Sequence, residues 1–414
     1  MHAPLTAPLT VAYVSSFPPR ACGIATFTRD LSDAVAQSGA NIVTRNVALN
    51  EDGADHAYPP QVRWTIDQHD PRSWIAVARQ INISRVDLVS IQHEFGICGR
   101  FAKDGQFHDH LACFLATLRK PVVATLHTVP PHPPADLREA IRTLHDHSAA
   151  VVTMINRAGL ILEEEYGLDP ARLRSIPHGV PAMPRIAQEK IKHALGCEER
   201  TLLCTFGLLN RGKGIEYVIQ ALPEVLERRP DVLYFVIGQT HPEVRRYEGE
   251  QYRESLIALV TRLRLEQHVR FVDQYLATPE LVSYLQATDI YITPYRDRDQ
   301  ITSGTLAYAL GCGRAIISTP YLYAAEVLDE GRGLLAEFEN PTSFARCINL
   351  LLENPALRAQ CERSALQYGR AMSWPAVGTR YADLFHTVAG GTAICTEHSP
   401  AVVQGEPELV ARSS

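Results

Sequence analysis

The sequence predicts an α/β fold of two doubly wound parallel-sheet domains whose strand ends face a common cleft. Three observations predict it. The chain has 414 residues, and a single core rarely grows past about 250–300. Its strand signals are short, continuous apolar runs separated by helical patterns, as in parallel sheets covered on both faces. The order of strand, glycine loop and helix also occurs twice, restarting after a polar stretch.

Taken in order, Thr10–Ser15 reads as the first strand, leading through a Pro-Pro-Arg loop and Cys22-Gly23. A helix follows over 26–37, with Phe27, Leu31, Ala34 and Val35 at helical spacing. Strands near 41–47, 86–91, 121–126 and 149–154 and a helix over 72–81 continue the first half. The polar stretch 185–200 follows, and the boundary is placed at 183, giving domains 1–183 and 184–374. In the second half, strands at 201–206, 232–237, 269–272, 289–293 and 315–318 alternate with helices at 214–228, 252–263, 279–286 and 304–310. A last helix, 375–389, follows Trp374-Pro375 and is expected to cross back and complete the first domain. From Gly390 the residues are small, polar and aperiodic, so 390–414 reads as a disordered tail.

Composition removes several function classes. With 40 Lys and Arg against 46 Asp and Glu, the formal charge is −6, whereas a phosphate-backbone binder is normally basic, so nucleic acid is an unsuitable partner. The longest apolar stretches, such as 149–155, fall short of the about 20 residues of a membrane span. The N-terminus carries no signal-peptide pattern, having no Lys or Arg before Arg20. Nine cysteines lie scattered without a C-x-x-C pair and read as reduced thiols of a cytoplasmic protein. A disulfide scaffold, a zinc ribbon and a membrane channel drop out.

Polar and glycine positions concentrate where strands end. Gly23 sits where the first helix opens, a place where backbone N–H groups and the helix dipole favour an anionic or oxygen-rich ligand. The second domain repeats the device in Phe206-Gly-Leu-Leu-Asn-Arg-Gly-Lys-Gly-Ile215. Arg211 and Lys213 there suit phosphate, but the spacing is neither a Walker A loop nor a dinucleotide fingerprint. A third helix start comprises Ser303, Gly304 and Thr305, which could hold phosphate or sugar oxygens or could simply be a Ser/Thr cap. His93, with Glu94 beside it, and His127 close two first-domain strands. Zinc is not implied, because neither H-E-x-x-H nor a Cys/His cluster occurs. No G-x-S-x-G follows a strand, which removes a Ser-His-Asp hydrolase.

Together these motifs resemble a retaining glycosyltransferase of family 4, with the GT-B architecture of two Rossmann-like domains. The signposts are GIATFT with Gly23, TLH with His127, IPHGVP for the family's I-P-N-G-V hinge, LLNRGKG with Lys213, TDIYITPY, LGCGRAIIST and Ser373-Trp374. The resemblance spans roughly 10–388 and implies sugar transfer from an activated donor to a carbohydrate-type acceptor, with retention and without a cofactor or metal. It implies that Gly23 approaches phosphate and acceptor, that His127 contacts a donor-sugar hydroxyl, and that Lys213, with Arg211, neutralises the leaving phosphate. Ser303, Gly304, Thr305 and Leu306 match the helix start that contacts sugar and phosphate, while His93 and Glu94 lie on the acceptor side. A homo-oligomer is compatible with this reading.

The departures bear on the nucleotide end. The family's Gly-Arg before the lysine reads Gly207-Leu208 here, and Arg211 or Arg253 could restore the charge. The usual glutamate pair separated by seven residues becomes Gln300 and Tyr308. Gln300 can still bond sugar hydroxyls, but Tyr308 cannot accept two ribose hydroxyls as a carboxylate does. Glu326 survives and is expected near the cleft. Three functions stay open: a nucleotide-sugar hexosyltransferase, a phosphorylase-like enzyme using sugar 1-phosphate and inorganic phosphate, and a non-catalytic carbohydrate- or nucleotide-binding protein.

Overall fold

The computed structural model of the chain describes residues 7–181 and 186–391. The boundary placed at 183 and the tail from 392 onward lie outside the described residues. The first sheet has seven parallel strands, ordered Val62–Asp67, Ile42–Asn50, Leu9–Ser15, Leu88–His93, Val122–Leu126, Ala150–Thr153 and Leu173–Ser175. The second has six, also parallel: Val269–Val272, Val232–Ile237, Thr201–Phe206, Ile290–Thr293, Ala315–Ser318 and Leu334–Leu335. In each sheet the strand order reverses beside the first strand, and ligands of such sheets bind at the carboxyl ends of strands near that reversal.

Helices on both faces explain why the central strands read as unbroken apolar runs. Every residue of Leu88–His93, Thr201–Phe206 and Val232–Ile237 is buried. The helix Gly23–Gln37 buries Phe27, Leu31, Ala34 and Val35 against the first sheet, each large side chain contributing about 1.5–3 kcal/mol by leaving water. The strand Val62–Asp67 escaped the sequence reading because it is an edge strand with mostly half-exposed or exposed residues. The stretch read as merely polar contains the helix Gln188–Ala194. It is pinned to the second sheet by a Lys192–Asp289 ion pair of 2.6 Å that is largely shielded from solvent.

The last helix, Trp374–Ala389, lies on the first sheet although it follows the second in sequence. Gly378 lets it approach the first helix, since a Cβ there would stand 2.7 Å from the Ala34 backbone. Tyr381 and Thr125 share a hydrogen bond of 3.0 Å. The two chain crossings are tied together: the Val180 N–H donates to the Met372 carbonyl at 2.7 Å, and the Trp374 N–H to the Val180 carbonyl at 2.9 Å. A Cβ on Gly179 would collide with the Trp374 ring at 2.1 Å, so the glycine of IPHGVP is required by this crossing.

Candidate active site

Between the two sheets lies a cavity of about 680 Å³, lined on one wall by Gly23, Phe27 and His178 and on the other by Gly207, Lys213 and Thr305. Strand ends build the second wall. Gly207 has φ +136° and Gly238 φ +134°, and a Cβ on Gly238 would lie 2.0 Å from the Gly207 carbonyl oxygen, so only glycines let these loops touch. A short turn, Arg211–Lys213, follows and ends at Gly214, whose φ of +60° is left-handed. A Cβ at Gly214 would strike the Pro294 carbonyl at 2.1 Å. That turn sets the Lys213 ammonium over the Tyr295 ring, 3.8 Å from its centroid. Tyr295 in turn shares a hydrogen bond of 2.6 Å with the Thr305 hydroxyl. Lys213, Gly304 and Thr305 thus meet at one place in the cavity.

The first wall is organised around Phe27. Its ring takes edge contacts from His127 at 4.9 Å, His178 at 5.0 Å and Trp374 at 5.3 Å. Gly23 is exposed, and a Cβ there would meet no described atom within 4 Å. His127 is 9% exposed, with Nε2 3.0 Å from the Gln92 amide oxygen. Burial, with His178 and His93 nearby, pushes its pKa down to about 3. Burial alone pushes His93 down to about 4. Both imidazoles are therefore neutral near pH 7.

Other sequence-derived candidates are placed elsewhere. Arg211 is exposed, 3.7 Å from the Glu248 carboxylate, and does not line the cavity. Arg253 does not replace the missing arginine charge: its guanidinium is buried, donating to the Gly238 carbonyl at 2.7 Å and paired with Asp273 at 2.7 Å and Glu250 at 3.3 Å. It braces the cavity loop from behind. Glu326 spends both carboxylate oxygens on the facing domain, accepting the Asn156 and Arg157 N–H groups at 2.8 Å each. The helix Asn156–Glu164 has no side-chain cap of its own, so the second domain supplies one. Gln300 folds back to donate to the Thr302 carbonyl at 2.6 Å. The Leu306 N–H is taken by the Ser303 hydroxyl at 3.3 Å. Glu94 accepts from the Phe95 N–H and the Thr128 hydroxyl, so neither it nor His93 faces the cavity. Tyr308 does line it, beside Leu208.

Two cavity histidines lay outside the sequence-derived set. His178 is 8% exposed, and its Nδ1 is 2.7 Å from the Gly179 carbonyl. A carbonyl only accepts, so the proton sits on Nδ1 and Nε2 keeps its lone pair. That nitrogen faces Gly304, lying 3.1 Å from where a Cβ would be. Burial lowers the His178 pKa to about 4, which keeps the ring an acceptor. His241 is the opposite case: its Nδ1 accepts the Glu243 N–H at 3.3 Å, leaving the proton on Nε2. The signal for His241 was available, a polar residue just past a strand end, as at His93 and His127. Among the described residues, no group of three or more His, Cys, Asp or Glu could hold a metal ion, and no helix is long and apolar enough to cross a membrane.

Two family models match the chain: one described as Glycosyltransferase Family 4 over residues 21–182, and one as Glycosyl transferases group 1 over residues 187–368. D-inositol 3-phosphate glycosyltransferase of Corynebacterium efficiens is 27% identical over 265 residues, 62% of this chain and 59% of that protein. The GDP-mannose-dependent monoacylated alpha-(1-6)-phosphatidylinositol monomannoside mannosyltransferase of Corynebacterium glutamicum is 25% identical over 410 residues, 91% of this chain and 98% of that protein. For the three relatives matched first, the chain spans 58%, 59% and 46% of their length. Among solved structures, Anabaena HepE in complex with UDP has a TM-score of 0.72 at 16% identity, covering 92% of this chain and all of that one. At that identity the likeness is one of fold.

Proposed function

We infer that the chain is a glycosyltransferase of GT-B architecture, the two matched models together covering most of its length, and from that premise we propose that it moves a hexosyl group from a nucleotide sugar to a hydroxyl acceptor with retention. The observation that carries this reading is the interdomain cavity with Lys213 and glycine strand ends on one wall and the neutral imidazole of His178 on the other, His127 lying outside the lining. Its volume of about 680 Å³ falls within the about 300–1,000 Å³ typical of ligand pockets. The donor diphosphate lies against Lys213, Gly207 and Thr305, and its sugar toward His178, whose bare Nε2 accepts a hydroxyl proton in a hydrogen bond. His127 stands behind Phe27 on the same wall. The acceptor enters beside Gly23, where the backbone leaves open space.

In the transfer step the acceptor oxygen forms a bond to the anomeric carbon on the face from which the diphosphate departs. The bond from that carbon to the phosphate oxygen breaks, and the departing oxygen takes the acceptor's proton. The Lys213 ammonium stabilises the charge that develops on the phosphate, an effect largest in a site closed to water. This reading requires no metal, since the ammonium and N–H donors neutralise the leaving group. Closure brings the walls together at Thr26 and Tyr275, whose hydroxyls are 3.5 Å apart, and at Glu326, limiting donor hydrolysis.

The solved HepE complex holds UDP, and the Corynebacterium glutamicum relative is named for GDP-mannose, so the donor panel begins with both bases. Thermal shifts with UDP, GDP, ADP and inorganic phosphate identify the ligand class, and product formation from the matching sugar donor tests transfer. Stabilisation by a nucleoside diphosphate and transfer from its sugar are expected. Stabilisation by phosphate alone, with phosphorolysis of a glycoside, would replace this reading with the phosphorylase-like one.

A further inference from the structure

Among the described residues, the second-domain wall of the cavity carries one cation, Lys213, where the pattern of the resembled family has two, because Leu208 stands at the arginine position; Arg29 lines the opposite wall and is paired with Asp30 at 2.6 Å. Neither Arg211 nor Arg253 reaches the cavity. His241 does. Its place is fixed from several sides. Its N–H donates to the Leu209 carbonyl at 3.0 Å, and the Leu209 N–H to the Gln239 carbonyl at 2.8 Å, so the histidine loop is laced to the loop that carries Lys213. Behind it the Thr240 hydroxyl donates to the Glu250 carboxylate, and Arg253 ties Glu250 to the Gly238 carbonyl.

The ring is equally constrained. Nδ1 accepts the Glu243 N–H, so the neutral ring carries its proton on Nε2. Among the described residues Nε2 makes no hydrogen bond. Burial and the nearby Lys213 charge both hold the His241 pKa below its ordinary value. Protonating Nδ1 would also set two donors against each other. His241 is thus a fixed neutral donor.

We propose that His241 is the second phosphate-contacting residue of the donor site, its Nε2–H donating to a diphosphate oxygen beside Lys213 in compensation for Leu208. This rests on the nucleotide-sugar reading above. A structural role as helix cap and a phosphate-binding role demand different atoms of the same side chain. Asn reproduces Nδ1 as a cap acceptor but stops short of Nε2, whereas Gln places an amide N–H near the Nε2 position and caps poorly.

Calorimetric affinities for UDP, GDP and ADP, each beside its nucleoside, would be measured for wild type, His241→Ala, His241→Asn and His241→Gln, with melting curves to verify folding. His241→Ala and His241→Asn are expected to weaken the bound diphosphate by about 10- to 100-fold, the range for a hydrogen bond to a charged group. Nucleoside affinity should be unchanged, and His241→Gln should recover most of the loss. Recovery by Asn and not by Gln would mean capping alone and overturn the proposal. Wild-type diphosphate affinity in all three variants would also overturn it while leaving the nucleotide-sugar reading standing. If none of the three diphosphates binds the wild type, that reading fails and the proposal with it.

Discussion

The loops that follow the first strand of each domain share one sequence grammar and have opposite physical characters. The first, ending at Gly23, is open: a side chain added there meets nothing described within 4 Å. The second, from Gly207 to Gly214, is full: added carbons meet Thr305 at 3.3 Å and the Pro294 carbonyl at 2.1 Å. The aromatic centres of the walls differ likewise: Phe27 meets the neutral imidazole of His178 on one side, and Tyr295 carries the Lys213 ammonium on the other. The difference teaches that one loop is preformed by its packing and the other leaves free space, which on the proposed reading seat the donor phosphate and the acceptor respectively.

The largest expected effect lies on the full side. Lys213→Ala should lower turnover by about 10²–10³-fold, as loss of a single oxyanion-stabilising group does, and unchanged kcat would break the comparison at its centre. Gly214→Ala should cost about 2–4 kcal/mol, combining left-handed strain with displacement of the Pro294 carbonyl, measured as a shift of the denaturant midpoint.

The buried first-domain imidazoles should announce themselves in acid. An imidazole whose folded-state pKa lies below the unfolded value of about 6.5 takes up its proton more readily when unfolded. Stability from His93 and His178, each at about 4, and His127, at about 3, is therefore complete above pH 6.5 and drains away as the pH falls toward 4 and, for His127, on toward 3. Melting temperature against pH checks this, and His178→Gln should flatten the slope within that window. Smaller still is the contact joining the walls: Glu326→Ala should cost about 1 kcal/mol, the usual worth of a helix cap. Smallest is Gly23→Ala, expected within about 0.5 kcal/mol of wild-type stability. A large destabilisation there would show that the open loop is not open.

Much of this contrast was legible in advance. The strands Thr201–Phe206, Val232–Ile237 and Ala315–Ser318 stand where their apolar runs placed them, because strands buried on both faces write their environment directly into composition. Edge strands and strands of two or three residues carry no such pattern, so Val62–Asp67 and Leu173–Ser175 went unread. Lys213 was legible because its neighbours Gly212 and Gly214 mark a tight turn. The misplacement of Arg253 and Glu326 has the opposite cause: a charge near a motif reveals nothing about which partner satisfies it. Asp273 and Glu250 claim the arginine, and the amides of Asn156 and Arg157, some 170 residues away in sequence, claim the glutamate.

The sequence by itself determined the two parallel sheets, the glycine-lined strand ends and the position of the lysine, since each follows from local periodicity or backbone freedom. Tertiary structure alone decided which ring nitrogen of His178 and His241 bears the proton and which charged groups reach the cavity. Those outcomes depend on hydrogen-bond partners fixed only when loops and domains come together, and on the exclusion of water that makes each partner count.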